Sequence, residues 1–169
     1  MIRRHRILDI LLYLIFACYL FILLAILFRT KHSFRSLNLI PFRTIHDYIT
    51  GGNIITRAFA LSNVLGNIVI FVPLGVCFAL FSRRAKWIET LLWVFLFSMI
   101  VEIIQYIFRL GIGDIDDIIL NVFGGAVGLV LYKIIWLIFK DKDKVRNIIA
   151  ICAPICGILS FALLIFINR

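Results

Sequence analysis

Five apolar runs divide this chain at charged breaks, at roughly 7 to 28, 61 to 81, 87 to 108, 115 to 139 and 148 to 167. Each is close to the ~20 helical residues needed to cross a hydrocarbon layer of about 30 Å. With 63% of its 169 residues hydrophobic, the chain carries more apolar surface than one soluble core can bury, so lipid must solvate much of it. A membrane barrel would alternate apolar and polar residues over about ten positions, and the stretch from Leu91 to Val101 does not alternate. The fold class expected is all-α: a polytopic bundle of about five transmembrane helices. No repeat, low-complexity tract or long linker divides it, so residues 1–169 are expected to form a single transmembrane domain.

The opening Met1-Ile-Arg-Arg-His-Arg6 with the apolar run behind it resembles a secretory signal. Its apolar stretch is too long for one, and Phe28-Arg29-Thr30-Lys31 offers no small-residue cleavage site. The first helix is therefore expected to stay attached. A net charge of +9 does not point to nucleic acid, because the Lys and Arg residues flank apolar spans and build no continuous basic face. Cys18, Cys77, Cys152 and Cys156 all fall within the runs, where thiols act as small hydrophobes, so neither a disulfide nor a metal cluster is expected.

Short loops rich in Lys and Arg tend to stay in the cytoplasm. With the amino terminus inside, the inner segments carry Arg3, Arg4 and Arg6, then Arg83, Arg84 and Lys86, then Lys140, Lys142, Lys144 and Arg146. The outer ones carry Arg109, Arg169 and the arginines and lysine of the first loop. The bias favours an inner amino terminus and an outer carboxyl terminus. That first loop, from Arg29 to Ala60, is long enough to be functional. It contains Asn38-Leu-Ile-Pro-Phe42 and Gly51-Gly52, and it is expected to lie across the mouth of the bundle.

An ionisable residue inside a span is expensive, so it is the strongest functional signal in such a chain. Glu102 is one, and Glu102, Gln105 and Arg109 follow i, i+3, i+7 spacing on one helix face. Gly111 and Gly113 break the chain before the next helix. That helix opens with Asp114, Asp116 and Asp117, where the dipole favours carboxylates, and continues to Asn121. Counting residues from the hairpin predicts a ladder: Arg109 near Asp114, Gln105 near Asp117, Glu102 near Asn121. Asn63 and Asn67 on the second run reach a similar depth, Pro73 and Gly75 should bend that helix, and Gly124 with Gly128 permits a close neighbour. Taken singly, Asn63, Gln105 and Asn121 are equally well explained as fasteners between helices. Glu102, Asp114, Asp116 and Asp117 together exceed what one arginine can neutralise, which calls for a proton, a metal or a ligand cation.

Other polar residues are less informative. Asp9 and Glu89 lie near helix ends and are expected to snorkel to the interface. His5, His32 and His46 show no ligand spacing, and Ser62, Ser98 and Ser160 have no nearby histidine in the sequence.

The ordered motifs Asn38-Leu-Ile-Pro-Phe42, Asn67-Ile-x-x-Phe71-x-Pro73-Leu74-Gly75, Glu102-x-x-Gln105 and Arg109-x4-Asp114-Ile-Asp-Asp117-x3-Asn121-x-x-Gly124-x3-Gly128 resemble the VanZ-like membrane proteins. The resemblance covers about residues 38 to 130, leaving the helices at 7–28 and 148–167 as peripheral. It implies a multi-pass protein of the bacterial plasma membrane, linked through the family's namesake to resistance against teicoplanin, a lipid-bearing glycopeptide.

Two functions fit these residues. In the first, an extracytoplasmic polar pocket binds a lipid headgroup or a lipid-anchored glycopeptide. Its residues would be Asn38, Pro41, Phe42, Asn63, Asn67, Glu102, Gln105, Arg109, Asp114, Asp117 and Asn121, and it would contribute to resistance or envelope modification. In the second, a membrane-embedded transferase or hydrolase acts on a lipid-linked envelope substrate. Glu102 would be its general base and Asp114 and Asp117 acid partners or, with Glu102, ligands to a divalent cation such as magnesium.

Overall fold

The computed structural model describes residues 2–28, 37–50, 54–82, 84–110 and 113–167. Arg29, Lys31, His32, Gly51, Gly52, Arg83, Gly111 and Arg169 lie outside them, as do the side chains of Arg3, Arg4, His5, Arg6, Ser62, Cys156 and Ser160. The chain begins with α1 (Ile2–Leu27), a two-residue strand β1 (Leu37–Asn38), a short helix α2 (Arg43–Thr50) and α3 (Ile54–Phe81). It continues through α4 (Trp87–Phe108), a second two-residue strand β2 (Gly113–Asp114), α5 (Ile115–Phe139) and α6 (Lys142–Ile167). Each of the five long helices carries one of the five apolar runs. Among the described residues Ile7–Leu27, Asn63–Phe81, Trp87–Phe108 and Ile115–Phe139 are long and apolar enough to cross a membrane.

Three helices outrun their apolar stretches: α1 starts at Ile2, α3 at Ile54 and α6 at Lys142. Once a helix is nucleated, each further residue adds a backbone hydrogen bond, so polar residues extend it beyond the hydrocarbon. The first loop is also more structured than expected, since it contains β1 and α2. At eight residues α2 is far too short to stand out as a membrane-length apolar run.

The most intimate pairing is between α3 and α5. A Cβ at Gly124 or Gly128 would overlap the carbonyl of Ile68 or Val72 on α3, and one at Gly75 would overlap the carbonyl of Gly125. Backbone thus lies on backbone, as small residues allow where lipid supplies no hydrophobic drive between helices. The α3 helix runs through Pro73. One turn earlier the carbonyl of Ile70 accepts a hydrogen bond from the Tyr19 hydroxyl of α1 at 2.6 Å. Leu23 of α1 is buried with Ile70, Phe71, Leu74 and Val94, so α1 is fastened into the bundle.

A second apolar cluster joins Leu12, Ala79, Leu80, Leu129, Tyr132, Val145, Ile149 and Ala150. At that end Asp9 of α1, expected near the interface, is joined there by Arg146 of α6. The reason is that α6 begins six residues earlier than its apolar run and brings Arg146 alongside. Nearby, the Lys133 ammonium lies 4.5 Å from the centre of the Trp87 ring. The exposed Arg84, Lys86, Lys140, Lys142 and Lys144 also gather at this basic end.

Candidate functional site

The opposite end of the bundle is built around the first turn of α5. Asp114 is its N-cap in extended conformation, and its carboxylate accepts from the Asp116 amide at 2.9 Å, satisfying one of the donors a helix start leaves open. The strand β2 pairs in parallel with β1, Leu37 opposite Gly113 and Asn38 opposite Asp114. Asn38 reinforces the pairing through its side chain: Nδ2 donates to Asp114 Oδ1 at 3.0 Å, and Oδ1 accepts from the Ile40 amide at 3.3 Å.

Glu102 lies buried on α4, where its Oε2 accepts from the Asp114 amide at 3.1 Å. This differs from the expected ladder, in which Glu102 faced Asn121. Asn121 instead donates to Ser98 Oγ at 2.9 Å, one turn deeper on α4, and its Oδ1 has no partner among the described residues. Equal residue counts on the two arms of the hairpin do not give equal depth, because the extended residues of β2 advance ~3.3 Å each against 1.5 Å in a helix. The start of α5 is therefore drawn down alongside Glu102.

Gln105 does not face Asp117 either. Its Nε2 donates to the carbonyl of Leu27 at 2.8 Å and so caps the last turn of α1. Arg109, expected beside Asp114 at the rim, is exposed and serves as the left-handed C-cap of α4 with φ 57°. Asp117 is half-buried and belongs to α3's partners. Asn67 Nδ2 donates to its Oδ1 at 2.5 Å, and Asn63, which is exposed, bonds the same carboxylate. Pro41 and Phe42 are exposed on the segment leading into α2. Asn38, Glu102, Asp114, Asp117 and Asn67 thus come together, Asn63 joins them from the surface, Gln105 and Asn121 turn to other partners, and Arg109 stays exposed at the end of α4.

Asp116 was named only as a charge to be balanced, and its role is larger. Only 1% exposed, it accepts from the amides of Phe42 at 2.5 Å and Ile45 at 3.4 Å. Those amides are the N-cap and third positions of α2, so a carboxylate from α5 caps a helix from which its two bonds are 74 and 71 residues apart in sequence, with the favourable dipole alignment that implies. Phe42 is held at φ 63°, a left-handed conformation uncommon for a bulky residue, and the hydrogen bond to Asp116 fixes it there. No spacing rule within α5 could have identified this partner.

The carboxylates are therefore solvated by amide donors and helix starts. Their oxygens point to different N–H groups, and among the described residues no three His, Cys, Asp or Glu side chains are placed to hold a metal ion. Glu102, Asp114 and Asp117 are thus not gathered into a three-carboxylate cation site among the described residues. At the edge of the buried network the exposed Asn63 of one spanning helix bonds the half-buried Asp117 carboxylate of another.

The sequence profile of the VanZ/LLP1 family matches residues 10–140, a range that reaches beyond the motif-bearing segment to take in most of α1. Protein VanZ of Enterococcus faecium is 31% identical over 131 residues, covering 78% of this chain and 70% of that protein. No solved structure matches. The matched span holds both arms of the carboxylate network and the helices that carry it, and the chain is a multi-pass membrane protein of the VanZ/LLP1 family.

Proposed function

We propose that the carboxylate end of the bundle binds the polar head of a lipid-anchored envelope molecule, either a membrane lipid or a lipid-bearing glycopeptide of the teicoplanin kind. By doing so the protein contributes to lipoglycopeptide resistance or to envelope modification. The observation that carries this is the Asp117 carboxylate, half-buried in a spanning helix and bonded to the exposed Asn63. A carboxylate at such depth with an open neighbour suits the hydroxyls and amines of a sugar or aminoalcohol head. Exposed Arg43 and Arg109 would meet a phosphate on the same head. The short basic segments at the other end suit the cytoplasm, which supports an exterior position for this end in a bacterial plasma membrane, with the amino terminus inside.

The test uses a strain in which deleting the protein changes teicoplanin susceptibility. Asp117→Asn and Asn63→Ala are expected to reproduce most of the deletion effect at unchanged protein level; susceptibility equal to wild type in both variants overturns the proposal. The transferase or hydrolase alternative finds less support, since Glu102, its candidate base, is buried with Oε2 already engaged by a backbone amide.

A further inference from the structure

The segment from Leu37 to Phe42 is neither a spanning helix nor an ordinary surface loop. Leu37, Leu39, Ile40 and Phe42 are 53%, 65%, 57% and 59% exposed, and Pro41 is exposed between them. Its one polar side chain, Asn38, is turned inward to Asp114. A water-facing loop of this length would normally present charges or hydroxyls.

Its backbone is equally unlike that of a water-facing loop. The Ile40 amide bonds Asn38 Oδ1, the Phe42 amide bonds Asp116, and the Arg43 amide bonds the Ile40 carbonyl at 3.3 Å. The Ile45 amide returns to Asp116, and the His46 amide bonds the Phe42 carbonyl at 2.8 Å. Pro41 has no amide to satisfy. Leu37 and Asn38 are paired with β2. Irregular backbone is tolerated at membrane depth only when its polar groups are satisfied within the protein, and here the amides of Ile40, Phe42 and Arg43 and the carbonyls of Ile40 and Phe42 find partners inside the chain.

Depth points the same way. Through β2 the segment is anchored level with Glu102, six residues before the end of α4, or about 9 Å inside that helix at 1.5 Å per residue. Leu37 lies with Tyr106 around Gly113, and the outer surface of α4 continues with exposed Ile103, Ile107 and Phe108. Arg43 and Arg109 are the exposed cations closest in sequence to the segment and to the end of α4, suited to anionic headgroups.

We propose that Leu37–Phe42 is a membrane-dipping tip, seated at the boundary of acyl chains and headgroups in the leaflet around this end of the bundle, with fatty acyl chains as its partner. This is independent of whether Asp117 binds a headgroup. The tip's apolar side chains enter lipid, and the Asn38, Asp114 and Asp116 hydrogen bonds set its angle and depth.

The experiment uses the full chain with Cys18, Cys77, Cys152 and Cys156 replaced by alanine, in vesicles of equal parts phosphatidylcholine and phosphatidylglycerol. Nitroxide labels are attached through Leu39→Cys and Ile40→Cys, with Phe123→Cys as lipid-facing reference and Arg84→Cys as water-facing reference. At 39 and 40 the label is expected to collide severalfold more often with dissolved oxygen than with a water-soluble nickel chelate, as at 123. Nickel collision at both positions as frequent as at 84 overturns the proposal, and so does dipolar broadening that reveals a second copy packed on the tip. The unsubstituted chain gives a second measurement in the same vesicles. Diazirine-bearing acyl chains are expected to crosslink to the peptide containing residues 37–42, and crosslinks confined to the long helices overturn the proposal.

Discussion

Where α3 meets α5, glycines let one backbone rest on another and the fit is a matter of shape. A few turns away, where α5 begins, the fit is a matter of donors finding acceptors: Glu102, Asp114, Asp116 and Asp117 each take N–H groups from a different element. A steric seam tolerates no added volume but is indifferent to chemistry. A hydrogen-bonded mouth tolerates small shifts but loses a specific connection when one acceptor goes. The first therefore sets whether the bundle exists, and the second sets how its outer segments are disposed.

The comparison is most severely tested at Gly128. Gly128→Val places methyls against the Val72 carbonyl and is expected to destabilise the bundle by about 3 kcal/mol, read as a loss of thermal stability in detergent together with weaker amide protection in both α3 and α5. Asp116→Ala should act differently. It strands the Phe42 and Ile45 amides at an expected local loss of about 2 kcal/mol, seen as faster hydrogen exchange and proteolysis across residues 39–50 with α3 and α5 unchanged. If instead the whole bundle melts earlier, the two regions are not separable. Asn121→Leu removes a buried amide whose Oδ1 is unpartnered among the described residues, and stability should change by no more than about 1 kcal/mol; a larger loss would reveal an ordered water there. Smallest of all, Asp9→Asn breaks the pair with Arg146 at a partly exposed site, with an expected effect of roughly 0.5 kcal/mol that shrinks in high salt.

The helices were legible because membrane spans announce themselves by length and hydropathy, and the glycine spacing on α5 foretold a close neighbour that proved to be α3. The meeting of Glu102, Asp114, Asp117 and Asn67 was legible too, since ionisable residues in spans seek one another. Its register was not. Residue counting treats the hairpin as two equal arms, and the extended Gly113–Asp114 step breaks that symmetry. Gln105 to the Leu27 carbonyl and Asp116 to the Phe42 amide were beyond reach for another reason. Backbone groups carry no residue-type signal, so a side chain that bonds one leaves no complementary partner in the sequence.

The parallel pairing of β1 with β2 also bears on how the protein is made. Leu37 leaves the ribosome long before Gly113 exists, and the two spanning helices α3 and α4 must be threaded into the bilayer in the meantime. Until α5 arrives, the stretch after α1 has no strand to align with and α2 has no carboxylate at its head. The architecture of this end is thus completed retroactively, by a late-synthesised element reaching back to organise an early one.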